Sequence, residues 1–443
     1  MKNRNNSFTR IRTNTLLILL LATLGNLYSQ KHDANKEINY IYVATNDQHE
    51  NSIVAFKHSN NKIEEIGEFQ TKGKGTGNIE IFDWGYDTTH PLKDGIDPLI
   101  SAYSVFKTDD NKFLLAVNPG DGSLTSFKIK KNGKLSFASK TKTGDIHPLS
   151  IAVHKNMVYV ASAGSTSPPT PPFTGNLSGF FIDNQGKLTP IKNSIRNLNA
   201  RPSCTMFTQD GKFLAVNELV TGLTKVYQVN NKTGRLSESP ISKVQSPNNG
   251  TNGRWLAIPV GFDIVSFKDH HVLYAAEARF LNNKGMLREE ANVVPQSPKY
   301  SWQTGSTSAY KIDKNGMISV LSPDVLTGTH SEGGEIANCW IEVSPDKKHL
   351  WAANALSSSY SSYDINDSGA LKLDKRIAFK VKDESLFFGD LIHSKDGKYL
   401  YQLIGNKGAI YVFKILSNGN LKPILMHDEP LLPKTGSFGI IAN

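Results

Sequence analysis

Four residues have the types and positions for acid–base chemistry, and each stands at the edge of an apolar run. His147 and Arg201 open such runs, whereas Glu218 and Glu277 close them, as in KFLAVNE from Lys212 and HVLYAAE from His271. Neighbouring carboxylates drive each other's pKa values apart, and an arginine can hold a carboxylate or a developing oxyanion. This set suits proton transfer on an acidic or sugar-like substrate. Asp263, Glu335 and Asp390 open runs as His147 does, Asn118 and Asn354 close them, and Arg279 lies just past Glu277. The structural alternative is that these side chains only hydrogen-bond strand ends in a polar channel.

Other constellations carry less. His330, Glu332 and Glu335 are spaced unlike any diagnostic metal motif, and Asp83, Asp87, Asp94 and Asp97 lack the order of a calcium loop. The chain contains no glycine-rich phosphate loop and no nucleophile elbow. No metal and no cofactor is assigned.

The elements that must position these residues come from an internal repeat. A strand of the form small–apolar–x–x–aromatic–x–apolar occurs as SIVAFKH at Ser52, SLTSFKI at Ser123, NLSGFFI at Asn176 and LTKVYQV at Leu223. It recurs as STSAYKI at Ser306, SYSSYDI at Ser359 and AIYVFKI at Ala409. Turns such as Asn132–Gly133, Gln185–Gly186, Asn315–Gly316 and Asn418–Gly419 follow, as tight antiparallel connections require. From the second copy onward another hairpin precedes each unit, with period-2 alternation and no helical period. The fold class is therefore all-β. Four antiparallel strands, a to d, repeat seven times, and a seven-bladed β-propeller resolves the edges such sheets would otherwise expose.

Closure follows from the chain ends. The first unit begins at its second strand, YIYVAT from Tyr40, while GSFGIIAN from Gly436 reads as an inner strand with nothing after it. The C-terminal strand is expected to complete the N-terminal blade. Short turns then lie on one face. The long insertions Gly73 to Pro98, Ser165 to Gly175, Arg279 to Gly305 and Ser322 to Gly334 all fall on the other. Such an elaborated face is where a site is expected, with His147, Arg201, Asp263, Glu335 and Asp390 near its channel mouth.

Residues 1–30 read as a cleavable signal peptide, with Lys2, Arg4, Arg10 and Arg12 before the short apolar run Leu16 to Leu24. No cysteine lies near the expected cut, so export to the periplasm or medium is expected without a lipid anchor. Residues 31–443 form the propeller domain. No later stretch is apolar enough for membrane insertion. Of the formal charge of +10, four positive charges leave with the leader, and the rest is scattered over turns. Nucleic acid is not an expected partner. Cys204 and Cys339 fall two blades apart and read as buried thiols, not a bridge. A monomer is expected.

HPLSIAVHKNMVYVASAG from His147, TQDGKFLAVNEL from Thr208, NCWIEVSPDKKHLWAAN from Asn338 and HSKDGKYLYQLIGNKGAIYVFKI from His393 resemble the lactonase family of seven-bladed propellers. That family includes 6-phosphogluconolactonase-type and carboxymuconate-cyclase-type members. The resemblance implies a site of His, Arg and Glu side chains, matched here by His147, Arg201 and Glu218, with Arg279 as a fourth. There is one departure: alignment on Phe207 puts Ser203 where the arginine is expected, two positions after Arg201.

The implied activity is hydrolysis, or the reverse cyclisation, of a small sugar- or carboxylate-derived lactone at the channel mouth. Glu218 would be the general base, His147 its proton-transfer partner, and Arg201 the carboxylate or oxyanion ligand. The alternative is a non-catalytic propeller that grips a glycan, peptide or partner protein. Trp84, Tyr86, Phe173, Tyr300 and Trp302 in the insertions are suited to that.

Overall fold

A computed structural model describes residues 38–77, 97–164, 175–198, 200–219, 221–247, 257–279, 304–328, 334–428 and 430–443. The proposed leader, the insertion aromatics, His330, Glu332, Asp83, Asp87 and Asp94 lie outside these residues.

Seven antiparallel sheets form the molecule, and each expected repeat is one sheet. Blade two is representative, running from Val105–Lys107 inside, through Phe113–Asn118 and Ser123–Ile129, to Leu135–Lys142 outside. Each innermost strand touches that of the next blade, and the last touches the first, so the ring is closed. Blade one joins both chain ends. Phe438–Ala442 pairs with Asn39–Ala44, with Ile41 opposite Ala442 and Val43 opposite Ile440. Asn443 clamps the joint, donating its amide to the Tyr40 carbonyl (3.1 Å) and accepting the Tyr40 amide on its side chain (2.9 Å).

Blades are fastened at the c–d turns. The glycines there adopt left-handed conformations, such as Gly133 at φ 78° and Gly419 at φ 76°, which suit residues without a Cβ. Their exposed carbonyls receive donors from the preceding blade. Tyr42 donates to Gly133 (3.1 Å), Tyr159 to Gly234 (2.8 Å), Tyr274 to Gly369 (2.9 Å) and Trp351 to Gly419 (2.8 Å). A side chain at Gly133 or Gly419 would also collide with Tyr40 or His349.

Blade three departs from the simple repeat. Its outer strand is split into Leu188–Pro190 and Arg196–Asn197, and the Ser194 hydroxyl fills the gap by accepting the Gly179 amide at 3.0 Å. Register shifts also interrupt the inner strands of blades three to seven near their starts, for example between Pro202 and Cys204. Such bulges re-aim side chains, here at the end that carries the insertions. The described anchors of all four insertions lie at that end: Ser162 pairs with Asn176, Glu277 with Ser306, Asn51 with Gly73 and Ser306 with Leu326. Cys204 and Cys339 are buried free thiols. Among the described residues no helix is long and apolar enough to cross a membrane.

Candidate active site

The central channel is not open from end to end. Residues 97–104, which lead into blade two, cross it and touch inner strands on its far side. The Trp340 indole in blade six donates to the Ser101 carbonyl (2.9 Å), and the Ser101 hydroxyl donates to the Leu149 carbonyl in blade three (2.9 Å). The Ala102 amide reaches the Ser203 carbonyl in blade four (3.2 Å), and Ile151 donates to the Tyr103 carbonyl (2.9 Å). Leu99, Ile100, Ala102 and Tyr103 join one hydrophobic core with Cys204, Cys339, Trp340 and Phe438. The plug is kinked, with φ 45° at Ile100 and 64° at Tyr103, conformations unusual for such side chains.

Arg201 anchors this plug. It is 1% exposed, and its guanidinium donates to the carbonyls of Leu99 and Ile100, the latter at 3.4 Å. At the head of the plug Asp97 accepts the Ile100 amide at 2.9 Å. Burial pushes the Asp97 carboxyl up to about 7, against the pull of that hydrogen bond and of Arg201. A carboxylic acid with such a pKa is half-protonated at neutral pH.

His147 also lies in Arg201's field. It is half-buried, with φ 54°, and its Nδ1 lies 3.2 Å from the Gly164 carbonyl. That carbonyl can only accept, so Nδ1 carries the hydrogen and Nε2 presents a lone pair. Burial lowers the imidazole pKa; the Gly164 contact opposes this, Arg201 reinforces it, and Asp145 opposes it. A near-neutral acid and an unprotonated imidazole therefore share one guanidinium. Such a set can move protons in both directions beside a fixed positive charge.

The strand-closing residues do something else. Glu218 pairs with Lys225 and accepts the Thr221 hydroxyl at 2.7 Å. Glu277 accepts from Tyr310 (2.9 Å), Ser308 (2.9 Å), Ser306 (3.0 Å) and Arg279 (3.1 Å). Arg279 also reaches Asp324 at 2.9 Å and the Pro247 carbonyl at 2.7 Å. Asn118 and Asn354, at the equivalent position, donate to Ser123 and Thr125 and to Ser359 and Ser361. All four strand-closing side chains and Arg279 are fully buried. They form a polar belt between the second and third strands of their blades.

Two positions need correction. Asp263 was expected at the elaborated mouth, yet it lies three residues before the Ser266 end of its strand, toward the short turns. The bulge between Pro259 and Phe262 lengthens this strand and shifts its register. Glu335 is drawn instead to the outer strand of blade six, where Lys380 (3.0 Å) and Arg376 (3.3 Å) hold it. Asp97 was read only as part of an acidic insertion. Its flanking prolines and aspartates carry no periodicity that would place it in the channel. Among the described residues no group of three His, Cys, Asp or Glu side chains is arranged to hold a metal ion.

Residues 99–257, which contain His147, Arg201, Glu218 and the plug from Leu99 onward but not Asp97, match the family model described as Lactonase, 7-bladed beta-propeller. The chain resembles the lactonase family. This lactonase-like propeller also superposes on the periplasmic gluconolactonase PpgL of Pseudomonas aeruginosa, with a TM-score of 0.61 and 15% identity, over 92% of this chain and 99% of that one. A proposed 6-phosphogluconolactonase from Bacteroides fragilis gives a TM-score of 0.58 and 16% identity, over 93% and 99%. At such identities the likeness is one of fold. No curated protein sequence matches the chain.

Proposed function

We propose that this lactonase-like propeller hydrolyses a small, sugar-derived lactone at its long-loop face. The observation that carries the reading is the placement of a near-neutral acid, Asp97, and an unprotonated imidazole, His147, around Arg201. Water adds to the lactone carbonyl carbon while His147 Nε2 takes its proton. The oxyanion develops in the field of Arg201, which the plug carbonyls hold in place. Collapse breaks the acyl–oxygen bond, and the Asp97 carboxyl protonates the departing ring oxygen. The hydroxy acid leaves, and solvent returns the imidazolium proton to Asp97.

Arg201 and Arg279 are committed to carbonyls and carboxylates on this face, which favours an uncharged lactone over a phosphorylated one. Residues 1–30 supply the export signal, in keeping with an unphosphorylated substrate outside the cytoplasm. Titration of acid released from gluconolactone and from its 6-phosphate by the purified protein tests the proposal. Faster turnover of the unphosphorylated lactone is expected. No turnover of either above the spontaneous rate would overturn it.

A further inference from the structure

The plug turns the other end of the channel into a blind well. A cavity of about 530 Å³ opens between the short turns, walled by residues from the inner edge of all seven blades, with Tyr103 of the plug among them. Its wall has two like-charged sides. On one, the His393 amide donates to Glu342 Oε1 at 3.1 Å, and His393 Nε2 lies 3.5 Å from the same oxygen. The His393 Nδ1–H donates to the Ser394 carbonyl at 2.7 Å, so in the neutral ring Nε2 has no hydrogen to offer Glu342. Asp263 lies in the field of the same two groups.

On the other side Lys107 Nζ meets only a carbonyl, that of Ala442 at 2.5 Å, with Lys395 as its charged neighbour. The remaining rim charges satisfy each other locally: Asp109 accepts the Lys155 amide at 2.8 Å and faces His154.

Burial raises the Glu342 and Asp263 carboxyls, and burial with the Lys395 charge pushes Lys107 down to about 8. On the acid side His393 is a counterion only when protonated, and among the described residues no carboxylate pairs with Lys107 or Lys395. One polar group of the wall points the same way: the Tyr103 hydroxyl, on a side chain 7% exposed that lines the cavity, has no hydrogen-bond partner among the described residues. Unmatched polar groups around a formed cavity are the expected imprint of a polar ligand.

We propose that this well is a second ligand site, separate from the long-loop face, for a small zwitterion of the amino-carboxylate class. Its ammonium group meets Glu342 and Asp263, with the Tyr103 hydroxyl beside it, and its carboxylate meets Lys107 and Lys395. The geometry opposes a simple amine, which would leave the lysines unmatched, and a simple carboxylate, which would leave the acids so.

Isothermal titration calorimetry of the full chain tests this with glycine, 4-aminobutanoate and 6-aminohexanoate as probes, and hexylamine and hexanoate as single-charge controls. At least one zwitterion is expected to bind about tenfold more tightly than either control, since each desolvated charge pair contributes on that scale. Glu342→Gln should abolish the advantage over hexanoate, and Lys107→Met the advantage over hexylamine. Asp263→Asn, at a position less buried than Glu342, gives the acid-side readout if Glu342→Gln fails to fold. Equal binding of zwitterion and controls, no binding by any probe, or zwitterion affinity unchanged in the acid-side and lysine variants would overturn the assignment.

Discussion

The Trp340 indole nitrogen lies 2.9 Å from the Ser101 carbonyl, and this hydrogen bond links blade six to the chain that enters blade two. No pair of adjacent blades could make it, because it crosses the axis of the ring. Trp340→Phe keeps the ring but removes the donor, leaving a buried carbonyl without its partner. A loss of about 1–3 kcal/mol is expected, read as a lower urea midpoint at unchanged slope. An unchanged midpoint would mean that the plug does not bear on global stability.

Closure of the ring rests on the C-terminal strand. Phe438, Ile440 and Ile441 are each at most 3% exposed. At roughly 1.5–3 kcal/mol per buried side chain, their loss approaches the roughly 5–15 kcal/mol that stabilises a whole domain. Removing residues 436–443 should therefore abolish or strongly depress cooperative thermal unfolding by circular dichroism. A truncated chain that melts like the full one would refute closure.

The repeat was legible because strand period, turn glycines and aromatic positions recur seven times, and even the joining of the two chain ends followed from counting strands. The site was legible only in part. Position on a strand assigns Glu218 and Glu277 to an end and a face, but not a partner. Lys225 and Arg279, which close the two networks, come from separate positions with no shared spacing. Asp97 and the plug were hidden for a different reason. Their contacts are non-local, to blades three, four and six, and a segment packed on all sides without strand period leaves no pattern in the chain.

Glu277 faces Arg279 inside the protein, where both side chains are fully buried. Glu277→Ala removes one of the two carboxylates that face the buried guanidinium and leaves Asp324 as the other. A destabilisation of about 3–5 kcal/mol is expected by chemical denaturation, with a smaller loss for Glu277→Gln, which retains hydrogen-bonding capacity. Equal small losses for both variants would show that the network is not energetically coupled.

Stability should also fall as pH rises through the titration of Asp97. Burial raises its folded pKa to about 7 from the ordinary 3.8, so between these values the native state holds a proton that the unfolded state has lost. The associated stability is fully present below about 4 and lost by about 7, on the order of 4 kcal/mol in all. Burial raises Glu342, Asp390 and Glu277 too, and they act in the same direction. Asp97→Asn should flatten this slope in urea denaturation compared at pH 5 and pH 8, gaining stability relative to wild type at the higher pH. A slope unchanged by the substitution would assign it wholly to the other acids.

The pH–rate profile of gluconolactone hydrolysis, measured for wild type, Asp97→Asn and His147→Ala, bears most directly on the proposed activity. The rate should rise as His147 loses its proton below the usual histidine range, then fall as Asp97 ionises near pH 7. Asp97→Asn should erase the descending limb and His147→Ala the ascending one, each lowering kcat by roughly 10²–10⁴. A wild-type rate equal to the spontaneous one, or a profile that neither substitution alters, would contradict a lactonase built on these two residues.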